Sequence, residues 1–177
     1  MAIHRLNHAV LFVRNVERSV AFYRDVLDFA PIEGMDSLHG AAFLRAPAST
    51  NDHDLGLFEI GDAAADSDAG RSTVGLYHLA WEVDTLTDLE ELAGTLAQAG
   101  ALTGASDHST TKSLYGQDPD GLQFEIAWIV PADRLDEAAL AGRSRIQPLD
   151  LASEIARYGA DTQGGYGISR APAPSAR

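Results

Sequence analysis

Three residues stand out because their types conflict with their surroundings. His8 lies in LNHAVLFV, His78 in LYHLAWEV and Glu125 in LQFEIAWIV, runs otherwise dominated by Leu, Val, Ile, Phe and Trp. A carboxylate in an apolar strand is costly unless it is paired or binds a metal. Two imidazoles and one carboxylate offer neutral nitrogen and hard oxygen, a donor set that suits divalent Fe, Mn, Zn, Ni or Co and leaves coordination positions open. Taken singly, each His also reads as a core residue bonded to a backbone carbonyl, and Glu125 as a residue facing water. The placement repeats, however. Leu6-Asn7-His8 is matched 70 positions on by Leu76-Tyr77-His78, and Phe58-Glu59-Ile60 is matched 66 positions on by Phe124-Glu125-Ile126. Each half opens on a strand His and closes on a strand Glu, and that repetition favours a metal set.

The elements that must carry these residues follow the same repeat. Leu6–Val13 reads as a strand, and Asn15 is a good N-cap for a helix whose buried face is Val16, Val20, Tyr23 and Leu27. Phe29–Ile32, Ala41–Arg45 and Leu55–Ile60 are expected strands. Residues 61–74 are small, polar and acidic, and read as a loop. The pattern then restarts. Leu76–Val83 is an expected strand, Thr85–Asp88 has capping-box spacing, and Leu86, Leu89, Leu92 and Leu96 line a helix face that Gly100 ends. Thr110–Tyr115 and Leu122–Val130 are expected strands, joined by the turn Asp118-Pro119-Asp120-Gly121. The fold class read from this pattern is α+β, with two copies of a strand–helix–strand–strand–strand (βαβββ) module. Residues 1–130 are expected to be one domain, with module 1 at about 4–61 and module 2 at about 75–130. Residues 131–177 fall outside the repeat. They read as an extension with a helical start that docks as far as about Tyr158, and a mobile Gly- and Pro-rich end from Gly164.

Composition narrows the function classes. The 177 residues carry a net charge of −13, all of it in residues 1–130. That charge opposes nucleic-acid binding, because phosphate contacts need clustered Lys and Arg, and Lys112 is the only lysine. With no cysteine, a disulfide scaffold, a thiolate nucleophile and a Cys-ligated metal are excluded. No leader-like start and no membrane-length apolar run is present, so a cytoplasmic, membrane-free protein is the default expectation.

Across residues 6–130 the chain resembles the vicinal oxygen chelate superfamily, which includes glyoxalase I, extradiol ring-cleaving dioxygenases, and bleomycin- and fosfomycin-resistance proteins. The resemblance rests on LNHAVLFVRNVERSVAFYRDVLDF, HDLGLFEIG, GLYHLAWEV and DPDGLQFEIAW. It implies an α+β fold of paired βαβββ modules whose mixed, curved sheets form a metal-binding cup around one metal, with His8, His78 and Glu125 on the ligand positions. Two features look like the catechol 2,3-dioxygenase branch. His53-Asp54-Leu55-Gly56-Leu57 is similar to the segment that holds the family's acid/base His, and Tyr115 stands just before the Asp-Pro-Asp turn, where the dioxygenases place a Tyr. His108 resembles the further His of that set, at a shorter spacing to Tyr115 than in well-known members. Glu59 supports the rival, since glyoxalase I uses four protein ligands, two from each module. On a continuous strand His53 and Glu59 share one face about 20 Å apart, so both cannot reach one metal.

The match of His53, His108 and Tyr115 favours His53. The resemblance therefore implies an Fe(II)-dependent extradiol-type dioxygenase acting on a catecholic small molecule with O₂, with Mn, Ni or Zn as other metals and a homodimer as the expected assembly. The alternatives are a glyoxalase I-like isomerase and a non-catalytic protein that binds a small molecule such as an antibiotic.

Overall fold

The computed structural model describes residues 3, 5–34, 38–165 and 167. The chain divides into two compact units, Met1–Gly75 with Asp118–Leu122, and Leu76–Gln117 with Gln123–Arg177. Each is built on an α+β, βαβββ-type mixed sheet. Among the described residues no helix is long and apolar enough to cross a membrane.

The first unit runs β1 (Ala9–Val13), α1 (Val16–Leu27), β2 (Ala30–Pro31), β3 (Ala41–Arg45) and β4 (Leu55–Glu59). Asn15 caps α1 by accepting from Arg18 N, because the first helical N–H groups lack intrahelical partners. β1 pairs with β4 in parallel, while β3 lies antiparallel to β4 and to β2. Alternation sends Leu11, Val13, Leu44, Leu55 and Leu57 to the buried face under α1. Val10, Phe43 and Phe58 stand on the other face, where a side chain at Gly56 would meet Val10 and Phe43.

The second unit runs β5 (His78–Glu82), α2 (Leu86–Gln98), β6 (Leu102–Asp107), β7 (Thr111–Gln117) and β8 (Gln123–Ile129). Thr85 and Asp88 form the expected capping box. In its sheet β5 neighbours β8 in parallel, and β7 and then β6 follow on the other side of β8. Leu114, Phe124, Ile126 and Trp128 are buried with Leu86, Leu89 and Leu96 of α2. After β8 come a short turn of helix at Ala132–Arg134, α3 (Glu137–Gly142), β9 (Gln147–Pro148) and α4 (Leu151–Tyr158). This segment packs within the second unit. β9 adds to the edge of β6, and the Trp128 indole N–H donates to the Thr162 carbonyl. Gly164 N and Gly165 N bond to the Asp84 and Ile129 carbonyls, so backbone pairing continues past Tyr158. The rest of the expected mobile end, apart from Gly167, lies outside the described residues.

Several elements differ from expectation, β1, β6 and β9 among them. β1 begins at Ala9, not Leu6, because its ladder starts where Ala9 N meets the Asp54 carbonyl and β4 offers no partner earlier. β6 is the strand that the βαβββ repeat requires after α2, but no sequence pattern locates it, because LTGASD is a run of small residues with a bulge between Leu102 and Gly104. It forms because β7 and β9 pair with it, not because its residues favour strands.

Candidate active site

In the first unit, His8 precedes β1 and is exposed, and His53 lies in the turn before β4. Asp54 builds that turn. Its buried carboxylate accepts from Ala46 N, the Ser49 hydroxyl and Asn51 Nδ2. Asn51 Nδ2 also reaches the Asn7 carbonyl at 2.8 Å, tying the turn to the start of β1. The two imidazoles are thereby brought side by side, ring centroids 4.5 Å apart, with Phe43 5.1 Å from His53. Each ring has its Nδ1 engaged by the preceding side chain, Asn7 at 2.8 Å for His8 and Asp52 at 3.0 Å for His53. The nitrogen that remains on each is Nε2, an arrangement common in metal-binding and proton-transferring histidines. Asp54 carries no chemistry in the sequence reading, although its polar STNDHD setting marks an Asx-type turn.

Glu59 does not join this pair. It sits at the opposite end of β4, across from Val13, and its Oε2 accepts from Val16 N at the first turn of α1. The expected sharing of one face by His53 and Glu59 fails because β4 begins at Leu55. His53 is outside the ladder and turns toward Phe43, while Glu59 stays on the helix side with Leu57.

In the second unit, His78 opens β5 and Glu125 is the third residue of β8. The register places Glu125 beside Ala80, two residues on from His78 and on the same face. His78 Nε2 and Glu125 Oε2 lie 3.0 Å apart, both side chains mostly buried, and His78 Nδ1 has no hydrogen-bond partner. Tyr115 faces Glu125 across β7 and β8, and its hydroxyl lies 2.7 Å from His108 Nε2. Burial, and secondarily the Glu125 charge, raise the Tyr115 phenol above its usual pKa. The phenol therefore keeps its proton, and its hydroxyl is hydrogen-bonded to His108 Nε2. These four residues, with Tyr77, Thr111 and Ile146, line a cavity of about 410 Å³. Ile146, on the stretch that leads into β9, is a wall residue that no sequence motif marks.

A nitrogen and an oxygen donor converging at 3.0 Å fit a divalent ion that both would ligate. Within either unit, among the described residues, no three His, Asp or Glu side chains form such a group.

The register also realigns the repeat. His8 and His78 are equivalent at the starts of their sheets, but the position equivalent to Glu125 in the first unit is Gly56, and Glu59 corresponds to Trp128. The Phe-Glu-Ile match is therefore three residues out of structural register, and the first sheet has no carboxylate where the second holds Glu125.

Residues 5–126 match the family model of the Glyoxalase/Bleomycin resistance protein/Dioxygenase superfamily. The chain is 31% identical over 100 residues to metapyrocatechase 2 of Cupriavidus necator, covering 56% of this chain and 27% of that protein. It is 28% identical over 121 residues to catechol-2,3-dioxygenase of Bacillus subtilis (strain 168), covering 68% of this chain and 40% of that one. The chain thus spans well under half the length of these relatives. Among solved structures, a glyoxylase/bleomycin resistance protein/dioxygenase domain from Frankia sp. EAN1pec aligns with a TM-score of 0.58 and 25% identity, over 71% of this chain and 92% of that one. A fosfomycin resistance protein of Listeria monocytogenes aligns at 0.53 and 19% identity, over 71% and 93%, a likeness of fold alone. The chain belongs to the Glyoxalase/Bleomycin resistance protein/Dioxygenase superfamily.

Proposed function

We propose that this protein is an extradiol-type dioxygenase that uses a divalent metal, Fe(II) by preference, to cleave a catecholic ring with O₂. The observation that carries the reading is one cavity lined both by the His78–Glu125 donor pair and by the His108–Tyr115 couple. A donor pair alone would serve any metal protein. A proton-bearing phenol hydrogen-bonded to an imidazole in the same cavity is suited to a substrate whose hydroxyl protons must move.

His78 and Glu125 would hold the ion, and His8 would be the third ligand by the match of LNHAVLFV to the family motif. An ion bound there would supply positive charge and open positions for two neighbouring substrate oxygens. Tyr115 and His108 would orient the substrate by hydrogen bonds, with Tyr115 holding its proton at Oη. His53, whose Nδ1 is engaged by Asp52, would take a substrate proton on Nε2. Distant similarity to metapyrocatechase 2 and catechol-2,3-dioxygenase supports this assignment. A manganese-dependent 2,3-dihydroxybiphenyl 1,2-dioxygenase of Geobacillus genomosp. 3, 27% identical over 139 residues, keeps Mn in view as the metal.

The glyoxalase-like reading needs a carboxylate from each module. Gly56 stands at the first module's position, and Glu59 is committed to the N-terminus of α1. The test is anaerobic purification, Fe(II) or Mn(II) loading with metal analysis, and a screen of catechols for yellow ring-fission products. Turnover of any catechol by the loaded protein is the expected result. A fully loaded protein inert toward a broad panel, or one that isomerises a hemithioacetal, overturns the reading.

A further inference from the structure

The chain's only lysine has no place in the site described so far, yet it is fully buried. Lys112 lies on the helix side of β7, directly across from Asp107 in the β6–β7 ladder. Its Nζ is 2.5 Å from Asp107 Oδ1 and 2.8 Å from Glu154 Oε2 of α4, the second contact an ion pair without a directed hydrogen bond. The Tyr158 ring closes the pocket, its centroid 5.7 Å from the ammonium. Burying one ammonium and two carboxylates is not an economical way to stabilise a fold, since apolar residues of similar volume often serve as well or better.

Where this cluster leads is informative. Asp107 Oδ1 also accepts from Ser109 N at 2.6 Å. Ser109 holds a left-handed backbone, φ 68°, which non-glycine residues adopt only when their surroundings enforce it. Between Asp107 and Ser109 sits His108. Strand alternation directs Asp107 to the helix side with Lys112 and sends His108 to the cavity side with Tyr115. The segment after β8 grips the same loop at two more points. β9 pairs with Ser106 and Asp107. Gly142, at the end of α3, lies so close to Ser109 that an added Cβ would stand 2.9 Å from the Ser109 Cβ.

We infer that Lys112 is a positioning residue. Pulled between Glu154 and Asp107, it locks the 107–110 loop so that His108 Nε2 meets the Tyr115 hydroxyl, and the segment carrying Gly142, β9 and Glu154 forms the outer half of that clamp. The role of His108 in turnover rests on the dioxygenase reading, whereas the clamp itself does not.

The test separates the two. In ¹⁵N-histidine NMR at about pH 8, above the ordinary imidazole range, wild-type His108 should be a single tautomer, protonated on Nδ1 with Nε2 accepting. Lys112→Met/Glu154→Leu replaces the ion pair by apolar groups that keep α4 docked, and Gly142→Ala displaces Ser109 without touching a charge. Both should shift His108 toward a tautomer mixture, as Tyr115→Phe should, while His39 resonances stay fixed. In the metal-loaded enzyme both should lower kcat by roughly 10²-fold, the scale of an ångström-sized misplacement, with metal content unchanged. Wild-type His108 signals in either variant, or a tautomer mixture already present in the wild type, overturn the clamp. The NMR change in a protein that turns over no catechol upholds the clamp and overturns only the dioxygenase reading.

Discussion

At the scale of single residues, His53 and Glu59 separate the readings of this site. His53→Ala should retain the metal and slow turnover by roughly 10²–10⁴, the usual contribution of one acid/base group. Glu59→Gln should leave metal content unchanged. Its cost falls on α1, about 0.5–1 kcal/mol, because a neutral amide interacts less well with a helix N-terminus. Metal analysis and thermal melts of both variants check this, and loss of metal in Glu59→Gln with normal turnover in His53→Ala would reverse the roles. His8, His78 and Glu125 stand out in the sequence because each is a polar type in an apolar run, whereas His53, His108 and Tyr115 do not and are singled out only by the resemblance. The register that decides among the candidates was not legible, since Phe-Glu-Ile occurs twice by sequence while the ladders pair Glu125's position with Gly56. Nor does the sequence say that Asp54 draws Ala46, Ser49 and Asn51 into the turn that carries His53. That turn depends on where a short polar loop closes on itself, which periodicity does not report.

At the scale of elements, the Asp118–Gly121 turn does more than reverse the chain. Asp118 Oδ1 accepts from Asp120 N and Leu122 N, and its Oδ2 accepts from the buried Tyr23 hydroxyl of α1 at 3.3 Å. Asp120 pairs with Arg14 and Arg18. Asp118→Ala should cost about 2 kcal/mol, because two backbone donors and a buried phenol lose their acceptor. Asp118→Asn keeps the Oδ1 acceptor and should cost less, which urea titration of the two variants resolves. The turn's sequence, Asp-Pro-Asp-Gly, announced its shape; its grip on α1 depends on tertiary placement. β7 shows the same division. Gly116 lies against the Phe124 ring, where an added Cβ would be 2.6 Å from Cε2. Gly116→Ala should therefore overpack the sheet and destabilise by roughly 1–3 kcal/mol. β6 and β9 were the hardest elements to foresee, since neither has a strand-like composition and each exists through its partner.

At the scale of the whole molecule, the tyrosines set how the fold responds to base. Burial first, and then the Asp118 charge, push the Tyr23 phenol well above its ordinary value of 10.0. Burial also raises Tyr115 and Tyr158. One of these lies in the first unit and two in the second, so both units share the effect. A tyrosine freed by unfolding loses its proton near its ordinary value, whereas the folded group still holds it. Above that pH the unfolded state binds fewer protons, and stability falls as pH rises. The contribution of these tyrosines should therefore be level on the acid side of about pH 10 and decline beyond it, by about 1.4 kcal/mol per pH unit for each proton the fold retains. The decline should stop for each group once pH exceeds its folded value. Urea titrations from about pH 8 to pH 11.5 measure the slope. Tyr23→Phe should remove one proton's share of it, since Phe has nothing to ionise, at the expense of the hydrogen bond to Asp118 at every pH. An unchanged slope in Tyr23→Phe would show that the Tyr23 phenol ionises in the folded state no later than in the unfolded chain.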